Sequence, residues 1–171
     1  MNTHRNLLAI LTTTLALSCC AFSQAPVLFD GTNPVVFNFQ SAPSDKSIPK
    51  SQLLTPEELA RSLQSPQPKP LVFQVGPHTL YAQAHIPGAE YMGAGSTDEG
   101  RRTLRDRVKS LPKNTAIVLY CGCCPWSRCP NVHLAYQTLQ SVGFTNIKVL
   151  FIPDNFGTDW VSKGYPAAKG D

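Results

Sequence analysis

The sequence predicts an α/β fold, a parallel sheet with helices on both faces. Residues 116–120, Ala-Ile-Val-Leu-Tyr, are apolar throughout, the composition of a strand buried on both sides. Apolar runs at residues 71–75 and 147–151 are separated from it by stretches of helical periodicity, and strands that alternate with helices pack as a parallel sheet. At 171 residues the chain has the length of one domain.

Residues 1–23 read as a secretory signal. His4 and Arg5 give a weakly positive start, and residues 7–17 form an apolar run too short to cross a bilayer. Ala21-Phe22-Ser23 is a small-residue cleavage site, with cutting expected before Gln24. The residues preceding Cys19 and Cys20 fit a lipobox poorly, but either cysteine is a candidate for lipid anchoring. Residues 24–50 are rich in Pro, Ser and Asn and read as an extended arm, with one short strand at 35–39. The domain is expected to occupy residues 51–171.

Within that domain, Thr55-Pro56-Glu57-Glu58 marks a helix start, with a Thr cap, Pro in the first turn and Glu three residues after the cap. Leu59, Ala60 and Leu63 give that helix its apolar stripe, and Pro66, Pro68 and Pro70 end it. The 71–75 strand stops at Gly76-Pro77. Residues 98–111 have Leu104, Val108 and Leu111 on one helical face. A second helix is expected over 131–142, closed by Gly143, and a short last one over 160–163 before Gly164-Tyr165-Pro166.

Charge argues against a nucleic-acid partner. The formal net charge is +4. The one basic run, Arg101, Arg102, Arg105 and Arg107, is interrupted by Asp106 and has no aromatic residue in it. It reads as a solvated helix face. No stretch is long and apolar enough for a membrane span.

The cysteines carry the chemistry. Of six, Cys19 and Cys20 fall in the signal, and Cys121, Cys123, Cys124 and Cys129 crowd one loop. Cys121 directly follows the most apolar strand, and parallel sheets gather functional groups at the carboxyl ends of their strands. A reactive cysteine works as thiolate, and backbone N–H groups of a tight loop backed by a helix N-terminus favour that anion. Three chemistries compete. One is nucleophilic catalysis. Another is a copper or zinc site from Cys121, Cys124, Cys129 and His133, or redox exchange through the Cys121-x-x-Cys124 pair. The third is a set of structural disulfides, expected in an exported protein.

His85-Ile86-Pro87-Gly88-Ala89, the strand ending Tyr120-Cys121, the helix with Ala135 and Leu139, Gly143-Phe144-Thr145-Asn146-Ile147, and Trp160 with Gly164-Tyr165-Pro166 together resemble the rhodanese-like family. The resemblance runs from about residue 53 to 168. It implies a rhodanese-like sheet and a thiosulfate sulfurtransferase-like enzyme that carries sulfane sulfur as a persulfide to a thiophilic acceptor. On that reading Cys121 is the nucleophile, Arg128 attracts an anionic donor, and Trp126 shapes the mouth of the loop beside Tyr120. Cys123, Cys124 and Cys129 are alternative nucleophiles or disulfide partners. The partners are a small sulfur donor and a thiol acceptor, no cofactor is called for, and the protein is periplasmic or secreted. His85 is expected to order a turn, and His133 to be an ordinary helix residue. Two departures stand out: Gln74-Val75-Gly76 replaces the family's usual Asp-Val-Arg, and residues 121–130 form a longer loop than the family's. A binding module without catalysis is therefore the remaining alternative.

Overall fold

The computed structural model describes residues 48–170; the signal at 1–23 and the expected strand at 35–39 lie outside them. Five strands form one sheet: β1 (Leu53–Leu54), β2 (Leu71–Gln74), β3 (Glu90–Tyr91), β4 (Ile117–Tyr120) and β5 (Ile147–Leu150). Their order is β1-β5-β4-β2-β3, and every neighbouring pair is parallel. The most apolar run thus takes the middle of the sheet, as its composition requires.

Alternation along β4 divides the core in two. Ile117, Leu119 and Cys121 pack with Leu104, Val108, Val132, Ala135 and Leu139, from α3 (Asp98–Val108) and α4 (Pro130–Ser141). Val118 and Tyr120 face the other way, against Leu59, Ala60, Phe156 and Trp160, from α1 (Pro56–Gln64) and the neighbourhood of α5 (Phe156–Asp159). Helices therefore cover both faces, as expected. Each fully buried Ile, Leu or Val of β4 stabilises the fold by ~1.5–3 kcal/mol.

Local signals explain the helix ends. Thr55 Oγ1 accepts from the Glu58 N–H and the Glu58 carboxylate accepts from the Thr55 N–H, a complete capping box. α4 opens with Pro130 at its first position and Cys129 as its N-cap, one residue earlier than the periodicity suggested. α3 stops at Val108, short of the expected Leu111, which lies beyond a turn. The expected last helix is a single 3-10 turn, Val161–Lys163, and it is preceded by α5. Between the two, the Trp160 side chain is wholly buried and its Nε1 donates to the Pro166 carbonyl at 2.8 Å.

The basic run lies on α3, and two of its members are in ion pairs. Arg107 makes a two-pronged contact with Glu90 at 2.6 and 2.8 Å, and Arg101 pairs with Asp98. Upstream, Ile48 is buried among core residues of the sheet, so packing begins a few residues before Ser51. Among the described residues, no helix is long and apolar enough to cross a membrane.

Candidate active site

The strand register builds the site. β2 and β4 pair Gln74 with Tyr120, and the Val75 N–H donates to the Tyr120 carbonyl at 2.8 Å. Gly76 and Cys121 therefore leave the sheet side by side. A Cβ on Gly76 would lie 2.7 Å from the Cys121 Sγ, so the sulfur occupies space that a side chain at position 76 would need.

Beyond Cys121 the chain must turn at once. Gly122 has φ +71°, and a Cβ there would come within 2.6 Å of Phe156 Cβ. Glycine meets both demands, and the Gly122 carbonyl accepts from the Phe156 N–H at 3.1 Å. The long loop is then pinned to the end of β5: the Trp126 N–H donates to the Pro153 carbonyl at 3.0 Å, and the Trp126 ring packs between Phe151 and His133. A 3-10 turn, Trp126–Arg128, delivers Cys129 to the start of α4.

The four thiols of this loop are free. Cys121, Cys123 and Cys129 have their sulfurs within 4.8 Å of one another, a spacing that a soft metal ion would also accept. The neighbouring Cys121 thiol, the Val132 N–H, Cys124 and the Asn131 N–H hold Cys129 down to about 5, against the opposing effect of burial. The two backbone donors belong to the first turn of α4, where a thiolate is favoured. The neighbouring Cys129 sulfur, then burial, raises the Cys121 thiol. Cys124 lies beside Cys123, Sγ to Sγ 3.2 Å, and burial followed by the Cys123 contact pushes it up to about 12.

Two openings reach this cluster from different sides. Cys121 and Cys123 line a cleft of about 400 Å³ with Gln74, Tyr120, Gly122 and Phe156. Cys129 lines a separate, open groove with Trp126, Arg128 and His133. A small void of about 10 Å³ is bordered by Cys121, Cys124, Trp126 and Cys129.

The expected site residues are therefore divided. Cys121 is where the sequence placed it, at the end of the central strand. Arg128 is exposed and lies with Trp126 on the groove of Cys129, away from the cleft of Cys121. The expected metal set of Cys121, Cys124, Cys129 and His133 is not brought together: Cys123 takes the place of Cys124, and the His133 ring stands against Trp126 at 5.3 Å. His85 lies outside both openings. Its backbone bridges Ala168, its Nδ1 meets the Tyr81 carbonyl at 2.9 Å, and its ring stacks on Tyr81, so it orders the turn that leads to Ile86.

Sequence reasoning missed Asn131. Its Nδ2 donates to Cys121 Sγ at 3.4 Å and Cys123 Sγ at 3.6 Å, and its Oδ1 accepts from the Ser96 N–H at 3.0 Å. The signal was a polar residue in the first turn of a helix after Cys129-Pro130, where the inward face needs a donor. Gln74 was read only as a departure from the family pattern. It is buried, and its Oε1 accepts from the Gly76 N–H at 3.1 Å.

Comparison with known proteins places this sheet and loop in a family. The rhodanese-like domain matches residues 55–151, more than half of the chain, and the chain belongs to the rhodanese-like family. Solved structures agree at the level of the fold. The rhodanese-like domain of the Alr3790 protein from Anabaena is 23% identical, with a TM-score of 0.53, over 69% of this chain and 79% of that one. The BH2092 protein of Bacillus halodurans is 20% identical, with a TM-score of 0.54, over 70% and 77%. The RPA3614 protein of Rhodopseudomonas palustris, described as a possible tyrosine phosphatase, is 17% identical, with a TM-score of 0.50, over 68% and 84%. No curated protein matches the chain.

Proposed function

We propose that this protein is a sulfurtransferase that carries sulfane sulfur as a persulfide on Cys121, taking it from a donor such as thiosulfate and passing it to a small thiol. The observation that carries this reading is the Cys121 sulfur at the end of the central strand, on the wall of a cleft of about 400 Å³, accepting from Asn131 and within 4.8 Å of the Cys129 sulfur. Family membership supports the same chemistry.

The cleft admits a small donor, and Cys121 attacks its outer sulfur. The donor's S–S bond breaks, sulfite leaves with the electron pair, and a Cys121 persulfide remains. The Cys121 proton passes to the neighbouring Cys129 sulfur, and the negative charge moves to the terminal sulfur of the persulfide. Asn131 positions the reacting sulfur through its Nδ2 donor. An acceptor thiolate then takes the terminal sulfur and restores the Cys121–Cys129 pair.

The test is sulfite release from thiosulfate by reduced protein supplied with a small thiol. Release that needs Cys121 supports the reading. No release, together with a tightly held copper or zinc ion on the purified protein, would favour the metal alternative at Cys121, Cys123 and Cys129.

A further inference from the structure

We infer that Cys129 is a resolving cysteine: it attacks the inner sulfur of the Cys121 persulfide, forms a Cys121–Cys129 disulfide and expels hydrosulfide into the cleft. This rests on the sulfurtransferase reading above and adds the fate of the sulfur when no acceptor is bound.

The arrangement of openings carries the argument. Cys121 borders both the cleft and the small void, whereas Cys129 borders the void but not the cleft. A persulfide's outer sulfur projects into the cleft, where there is room for it. Its inner sulfur stays within 4.8 Å of the Cys129 sulfur, which does not line the cleft. Cys129 can then reach the inner sulfur by way of the void while the outer sulfur leaves into the cleft. At about 10 Å³ the void is too small for an external thiol. Of the two thiols that border it with Cys121, which are Cys124 and Cys129, it is Cys129 that groups with Cys121 within 4.8 Å. Cys123 differs: it lines the cleft itself and pairs with Cys124. From there it meets the outer sulfur, and attack would only move the sulfur along the loop.

The step balances. After sulfite leaves, the proton held by Cys129 passes to the terminal persulfide sulfur, giving Cys121–S–SH and a Cys129 thiolate. The new Cys129–Cys121 bond forms, the S–SH bond breaks, and HS⁻ leaves with the electron pair. An external dithiol then reduces the disulfide by exchange. Over the cycle, thiosulfate and a dithiol become sulfite, hydrosulfide, the oxidised dithiol and one proton. Without a dithiol the protein turns over once and stops oxidised.

The experiment uses the reduced mature chain, exchanged out of reductant and given thiosulfate, followed by intact mass and trapped sulfide. Wild type should release one sulfide per chain and finish lighter by two hydrogens, with Cys121 and Cys129 linked in the peptide map. Cys129→Ser should keep the added sulfur on Cys121 and release no sulfide. Serine is itself a good helix cap, which suits the N-cap position of α4. Wild type that holds the added sulfur without releasing sulfide would overturn the inference while leaving the sulfurtransferase reading intact. Sulfide release that survives Cys129→Ser but is lost in Cys123→Ser would also overturn it. Neither added sulfur nor disulfide in any variant would instead sink the underlying reading.

Discussion

Replacing Gly122 by alanine tests whether the turn after Cys121 is built as described, with Gly88→Ala as its internal reference. Both glycines have positive φ, +71° and +80°, so both alanines suffer the left-handed backbone penalty of ~1–2 kcal/mol. They differ in what the new methyl group meets. At Gly88 nothing lies within 4 Å. At Gly122 the methyl would sit 2.6 Å from Phe156 Cβ, 3.1 Å from the Phe156 nitrogen and 3.2 Å from its Cα. Those are backbone and Cβ atoms, which cannot rotate away. Overpacking of this kind costs a further ~1–3 kcal/mol. Gly122→Ala should therefore lose ~2–5 kcal/mol and Gly88→Ala ~1–2 kcal/mol. Denaturant unfolding of both variants under reductant, at unchanged slope, reads the difference. Equal losses, or a smaller loss at Gly122, would refute the close approach of the loop to α5 and with it the shape of the cleft.

Other outcomes follow from the same geometry. Asn131→Leu removes the donor to two sulfurs and leaves the Ser96 N–H without its acceptor, and thermal unfolding should show a loss of ~1–3 kcal/mol. Because Cys129 is held down to about 5, ultraviolet thiolate absorbance should rise through that pH in wild type and not in Cys129→Ser. The depressed group adds stability that grows as pH rises from about 5 toward the ordinary thiol value of ~8.5 and is lost as pH falls back through about 5. Above ~8.5 the raised Cys121 thiol reverses that slope, so unfolding at stepped pH should show a maximum near the ordinary thiol value. Export predicts a mature N-terminus at Gln24, read by N-terminal sequencing; an intact Met1 would contradict it.

What the sequence disclosed followed the strength of local signals. A four-residue strand with no polar member, Ile117–Tyr120, can only be central, and the Thr55–Glu58 box fixes a helix start without help from the rest of the fold. The two-residue edge strands β1 and β3 are too short to have a period, and they exist because β5 and β2 offer open ladders beside them. Helix α2 (His78–Gln83) has no side-chain cap. It is held by tertiary contacts such as the Tyr81 hydroxyl donating to the Ala89 carbonyl at 2.8 Å, which join positions eight residues apart. At the site, the strand-end cysteine was legible because position in a parallel sheet predicts it. The grouping of the other sulfurs was not. Whether Cys123 or Cys124 turns inward depends on the positive φ of Gly122 and on the anchoring of Trp126 to Pro153, both long-range facts. The same anchoring carries Arg128 to the groove of Cys129, away from the cleft of Cys121, where the resemblance had it attract an anionic donor.

The central claim is that Cys121 accepts sulfane sulfur, and peptide mapping of a resolution-blocked protein tests it most directly. Cys129→Ser, reduced, exchanged out of reductant and treated with thiosulfate, should gain the mass of one sulfur on the peptide that begins the loop, at Cys121, and the double variant with Cys121→Ser should gain nothing. Sulfur that maps to Cys123 or Cys124 instead, or that still appears when Cys121 is serine, would contradict the account.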